Sequence, residues 1–83
     1  MRDRILESLK ESLSTYIQVD DLSNLTHMSF QELGLQSMAV VGIFLELESK
    51  GWIDITMIDN DFPPNNIEDI IKLAELTNSK KHE

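Results

Sequence analysis

Apolar residues near the N-terminus fall at Ile5, Leu6, Leu9, Leu13, Tyr16 and Ile17, spaced so that they share one helical face, while Asp3, Glu7, Lys10 and Glu11 occupy the others. This spacing predicts a first helix over residues 2–17. Periodicity then lapses. Residues 18–29 are rich in Asp, Ser, Asn and Thr and read as a long connection, with Val19, Leu22 and Leu25 as apolar anchors. Ser29 and Glu32 have capping-box spacing, which predicts a short turn from Phe30 to Leu33, closed by Gly34 in a left-handed conformation. A second helix is expected over residues 37–50. Met38, Val41, Phe44, Leu45 and then Leu47 or Glu48 supply its periodic positions, and Gly51 after Lys50 stops it.

Residues 52–56 alternate like a strand but are too few to build a sheet, so an extended linker with Ile53 and Ile55 turned inward is expected. A short helix over 56–61 follows, ended by Pro63 and Pro64. The last helix is expected over 66–77. Asn65 or Asn66 caps it, Glu68 and Asp69 sit in its first turn, and Ile67, Ile70, Ile71, Ala74 and Leu76 form its apolar face. Residues 78–83 read as a polar, frayed tail. The sum is an all-α, single-domain four-helix bundle: three main helices, one short helix and a long first loop. Gly42 lies inside the second helix at a cost of about 1 kcal/mol relative to Ala. Close packing by another helix and proximity to a bound group are both reasons to keep it.

Composition narrows the function classes. Eighty-three residues make one domain. A chain this short buries roughly 60–65% of its unfolded surface, which leaves little interior for an enzyme pocket. There is no cysteine, so disulfides, thiolate metal sites and redox pairs are excluded. The N-terminal segment threads charges through its apolar residues, unlike a signal peptide, and no apolar run spans a bilayer. A cytoplasmic monomer without membrane insertion is expected. The net charge is −8, and Lys50 is the only Lys or Arg between Glu11 and Asp69. Such a surface repels nucleic acid and anionic membrane and steers basic protein partners, although acidity also serves plain solubility.

Few residues are candidates for chemistry. His27 and His82 are far apart, and no residue pattern pairs His27 with a nucleophile, so catalysis is not expected. Asp59-Asn60-Asp61 resembles the start of a calcium loop, but the sixth position is Pro64 rather than Gly and the twelfth is Ile70 rather than Glu. What remains is Ser37 in the stretch ELGLQSMAVV. A serine just before an amphipathic helix ordinarily serves as an N-cap. Here Gly34 frees the approaching backbone, Leu33 and Leu35 are expected to anchor the loop, and Met38 and Val41 to anchor the helix. A phosphodiester on this hydroxyl would meet free amides and the positive end of the helix dipole. Cap and modification site are thus both open readings.

Ser29-Phe30-Gln31-Glu32-Leu33-Gly34-Leu35-Gln36-Ser37-Met38 resembles the attachment motif of the acyl carrier proteins, with one residue fewer before the Leu-Gly pair. Downstream, Val41, Leu45, Glu46 and Glu48 are similar to that family's second helix, and Ile67-Glu68-Asp69-Ile70 to the start of its last. The resemblance implies an acyl-carrier-like four-helix bundle and no enzymatic activity of its own. It implies covalent 4'-phosphopantetheine on Ser37, placed there from coenzyme A by a phosphopantetheinyl transferase. Acyl groups would be held on the arm as thioesters and presented to synthases and transferases with basic patches, in fatty-acid, polyketide or related synthesis. Glu46 and Glu48 become partner-contact candidates, with a solvated helix face as the alternative.

Two departures bear on partners. The family usually has Asp before the serine, where this chain has Gln36, and Ala39, Val40 and Val41 stand where many fatty-acid carriers have acids. Less charge beside Ser37 weakens steering of a basic partner and leaves apolar surface, expected at Val40, for contact alongside Gln36 and Met38. A specialised carrier with its own partner enzymes is the expectation. D-alanyl and peptidyl carriers, and an unmodified acidic helical adaptor, are the alternatives.

Overall fold

Of the face predicted at the N-terminus, Ile5, Leu9 and Leu13 are buried and Leu6 and Ile17 pack at their margin, while Tyr16 is 46% exposed. The computed structural model describes residues 2–59, 61 and 63–81. Helix α1 spans Arg2–Leu13 and encloses Ile5, Leu9 and Leu13, while α2 spans Ser37–Ser49 and α3 spans Ile67–Lys81. Short 3-10 turns lie at Leu22–Asn24 and Ile55–Met57. The core joins α1 to Ile43 and Leu47 of α2 and to Ile67, Ile70, Ile71, Leu73 and Ala74 of α3. Leu22, Phe30, Leu35 and Ile53 complete it from the connections. The radius of gyration is 11.9 Å, what one compact unit of this length has by the size relation (about 12 Å). The protein is therefore a small all-helical bundle. Among the described residues no helix is long and apolar enough to cross a membrane.

Local capping signals are realised as read. Ser29 Oγ accepts from the Glu32 amide at 3.1 Å, and the Glu32 carboxylate accepts from the Ser29 amide at 3.0 Å. Gly34 (φ 84°) and Gly51 (φ 83°) close their turns in the same way. Leu35 N–H donates to the Phe30 carbonyl and Gly34 N–H to that of Gln31; Trp52 N–H and Gly51 N–H donate likewise to Leu47 and Glu48. Ile53 is buried and Ile55 half-buried, and the anchors Val19, Leu22 and Leu25 all reach the core.

Five expectations are corrected. The α-helix of α1 stops at Leu13 rather than residue 17, because the Tyr16 and Ile17 amides both turn back to the Leu13 carbonyl. Ser14 takes the Glu11 carbonyl with its own hydroxyl at 2.6 Å, and Ser-Thr-Tyr is a weak helix-forming run. The short helix over 56–61 is instead the three-residue turn Ile55–Met57. Asp54 accepts from the Thr56 amide and hydroxyl and so starts the turn early, and Ile58 is already extended. Residue 60, within that predicted range, lies outside the described residues.

The polar stretch after residue 77 is not frayed through its length: α3 continues to Lys81, with residues 82 and 83 outside the described part. Thr77 is buried, bonds the Leu73 carbonyl at 2.8 Å and accepts from the Asp54 amide. Asn78 donates to the carbonyls of Ala74 and Trp52. These bonds tie the polar end of α3 to the segment after α2. Leu73, rather than Leu76, takes the core-facing place; Leu76 is exposed.

The fifth correction concerns α2. Met38, Val41 and Leu45, expected among its packing positions, are 87%, 55% and 55% exposed. The buried residues are Ile43 and Leu47, with Ala39, Val40 and Phe44 packed at their margins. The helix is apolar around most of its circumference, so spacing alone does not single out the arc that finds neighbours.

Candidate functional site around Ser37

The segment before α2 is held rigidly from two sides. Phe30 meets Phe44 of α2 edge-to-face, with centroids 6.1 Å apart and planes at 72°. Leu35, beyond Gly34, is also buried. Each such burial contributes roughly 1.5–3 kcal/mol. Ser29 and Phe30 are further tied to the start of α3: Phe30 N–H donates to the Asn65 carbonyl at 3.0 Å, and Ser29 bridges Asn66. Gly34 supplies the positive φ that lets the chain reverse between these anchors. The backbone therefore arrives at Gln36 and Ser37 in a fixed direction.

Ser37 is the first helical residue, not the cap. Gln36 occupies the cap position with extended backbone (φ −81°, ψ 163°) and makes no side-chain capping bond. Ser37 is exposed. The first intrahelical amide bond runs from Val40 to the Gln36 carbonyl, so the Ser37, Met38 and Ala39 amides precede the ladder. No acidic residue lies in this first turn. An anion carried on the serine would face donors and the positive helix end without like-charge repulsion.

An open groove of about 820 Å³ runs beside the serine. It is lined by buried Phe30 and Leu35, by Val40 and Val41 of α2, and by Gln31, Gly34, Gln36 and Ser37. None of these side chains is charged, although 27% of the chain is.

The other predicted contact residues divide. Gln36 and Met38 are exposed beside Ser37. Val40 is half-buried against the core, so the apolar surface expected there is supplied by Met38, Val41 and Leu45. These three, at positions i, i+3 and i+7, form a ridge along the outer face of α2. Glu46 pairs with Lys50 at 3.2 Å, and the exposed Glu48 accepts from the Ile55 amide at 3.1 Å. Both acids thus have partners within the chain.

A Cβ at Gly42 would come within 2.5 Å of the Tyr16 hydroxyl, the tip of a half-exposed side chain, so the glycine lets the phenol lie against α2. His27 is exposed, and no cluster of three or more metal-ligating residues occurs among the described residues. Sequence reasoning missed the ridge and the groove, since both depend on which arc of α2 packs.

No protein-family model matches the chain, and neither a curated protein nor a solved structure matches it.

Proposed function

We propose that this chain is a carrier protein that holds acyl groups on a phosphopantetheine arm attached to Ser37. The observation that carries the reading is the state of that hydroxyl: exposed, at the first position of a helix whose start has no side-chain cap and no acid. A hydroxyl serving only as a cap would sit one residue earlier and accept from an amide two or three residues on. The residues present fit the group, because the Ser37, Met38 and Ala39 amides can receive its phosphate and the anchored 30–35 segment keeps the serine presented. In this reading the three helices and the Ile55–Met57 turn correspond to an acyl-carrier-like bundle.

Attachment joins Ser37 Oγ to phosphorus of coenzyme A, with adenosine 3',5'-bisphosphate leaving and the hydroxyl proton passing to a base of the transferase. The attached arm would supply the terminal thiol that this cysteine-free chain lacks, and with it the means to carry an acyl group as a thioester. The chain's own part is to present the serine and to be recognised. Recognition by the transferase and by acyl-processing enzymes is assigned to the Met38–Val41–Leu45 ridge, with Gln36 at its head and Glu46 and Glu48 in the same helix. An exposed apolar ridge on so charged a chain suits a partner with an apolar socket and a basic rim.

Intact mass after incubation with coenzyme A and a broad-specificity transferase tests the proposal. One phosphopantetheine is expected on the wild type and none on Ser37→Ala. An unmodified wild type, or modification of the alanine variant, would overturn it.

A further inference from the structure

The groove beside Ser37 has a feature that the tether reading does not use: among the described residues it is lined without a single charged side chain, in a protein of net charge −8. Its polar lining includes two primary amides, Gln31 and Gln36. Among the described residues neither amide takes part in a side-chain hydrogen bond, and each offers both a donor and an acceptor. Its apolar lining includes Phe30 and Leu35, and its volume falls within the range that small-molecule ligands occupy. A charged ligand would find no counter-ion among the described lining residues. A neutral chain that alternates apolar carbon with amides would find both of its components matched.

We propose that the groove is the berth of the arm itself, an inference that rests on the reading of Ser37 as its tether. Beyond its phosphate, phosphopantetheine is a neutral chain: a carbon bearing two methyls, a carbon bearing a hydroxyl, then two amides, then the thiol. Attached at Ser37, it would be held by Val40, Leu35 and Phe30 against its methyls and by Gln36 and Gln31 through its amides. The arm then rests on the surface between the 30–36 segment and α2. Ile43, Leu47, Ile70 and Ile71, at most 1% exposed, offer the arm no surface of their own. Gln31 and Gln36 are positioning residues in this account: they hold the arm and leave its attachment to the transferase.

The test compares the full chain before and after loading with coenzyme A and a transferase, followed by intact mass and by methyl and amide NMR. Loading is expected to shift the Gln31 side-chain amide and the Leu35 and Val40 methyls, and to give NOEs from the arm's two methyls to Leu35 and Val40. The Leu45 and Leu76 methyls, outside the groove, stay unshifted. Gln31→Glu, an isosteric change that brings charge to the groove, still loads but loses those NOEs, and Gln31→Ala reduces them. Loading with shifts confined to Gln36, Ser37 and Met38 overturns the groove assignment alone. Absence of any mass gain on the wild type overturns the tether and the groove together.

Discussion

The turn formed by residues 29–34 lies between two helix starts that are in opposite chemical states. At the start of α3, Asn66 Oδ1 accepts from the Asp69 amide at 2.8 Å, and the Asp69 carboxylate accepts from the Asn65 amide at 2.9 Å. Thr26 accepts from the Glu68 amide, and Glu68 and Asp69 place negative charge at the positive helix end. At the start of α2, seven residues after the Phe30–Asn65 bond, there is no side-chain cap and no acid. A good cap is worth about 1 kcal/mol, so α2 forgoes stability that α3 collects. Strong anchors, Phe30 on Phe44 and the buried Leu35, hold that uncapped start in place. The contrast teaches that α2's start is fixed by packing so that its polar groups remain available, and that is where the exposed serine stands.

The sharpest way to break the contrast is to exchange the roles of the two starts. Ser37→Ala should abolish phosphopantetheine loading outright while changing unfolding free energy by less than about 0.5 kcal/mol, the ordinary range for an exposed site. Asn66→Ala should do the reverse: loading is retained, and urea unfolding shows a loss of about 1 kcal/mol, within the 0.5–2 range for cap removal. If the serine substitution destabilises the fold as much as the asparagine one, Ser37 is a structural residue and the contrast is lost.

These starts also differ in how far the sequence discloses them. Both capping signals, Ser29 with Glu32 and Asn66 ahead of Asp69, are local: donor and acceptor lie three residues apart, and a short segment specifies the geometry. Gly34 and Gly51 were legible for the same reason, since a positive φ at a helix end selects glycine. Ser37 was legible as a candidate through the residues around it, but not its rank as first helical residue rather than cap, which turns on one residue of helix boundary. Long-range choices were not written in any window. The arc that α2 buries depends on α1 and α3 being in place, so spacing alone points to Met38 and Val41 and passes over Ile43. The α3 end escapes a local reading because the partners of Thr77 and Asn78 include Asp54 and Trp52, more than twenty residues away.

Supplying what α2 lacks sharpens the contrast. Gln36→Asp puts a short acceptor at the cap position, where it can reach the amides of Met38 or Ala39 and add charge at the helix end. Urea unfolding should show a gain of about 0.5–1 kcal/mol at pH 7, somewhat less at high salt. Loading at Ser37 should persist. No gain in stability would mean that those amides are already satisfied or cannot turn to the new carboxylate, against the reading of an uncapped start.

The smallest expected effect separates the two starts by charge. Glu68, in the first turn of α3, accepts hydrogen bonds from both terminal guanidinium nitrogens of Arg2. Hydrogen bonding from Arg2, opposed by desolvation and aided by its charge and by the Thr26 hydroxyl, lowers the Glu68 pKa below the ordinary carboxylate value. A lowered folded-state pKa means that the unfolded chain binds the proton more readily. The contribution is therefore complete above the unfolded-state pKa and disappears as the pH falls through the folded one. Arg2 is half exposed, so solvent screens the pair and the effect is modest. Urea midpoints of wild type and Glu68→Gln should differ slightly at pH 7 and converge as the pH is lowered past the carboxylate range. The corresponding position at the start of α2 is Met38, which has no charge to titrate, so Met38→Gln should leave the pH profile of the midpoint unchanged. A Glu68→Gln difference that persisted undiminished at low pH would assign the contribution of this side chain to packing, and the electrostatic half of the contrast would fall.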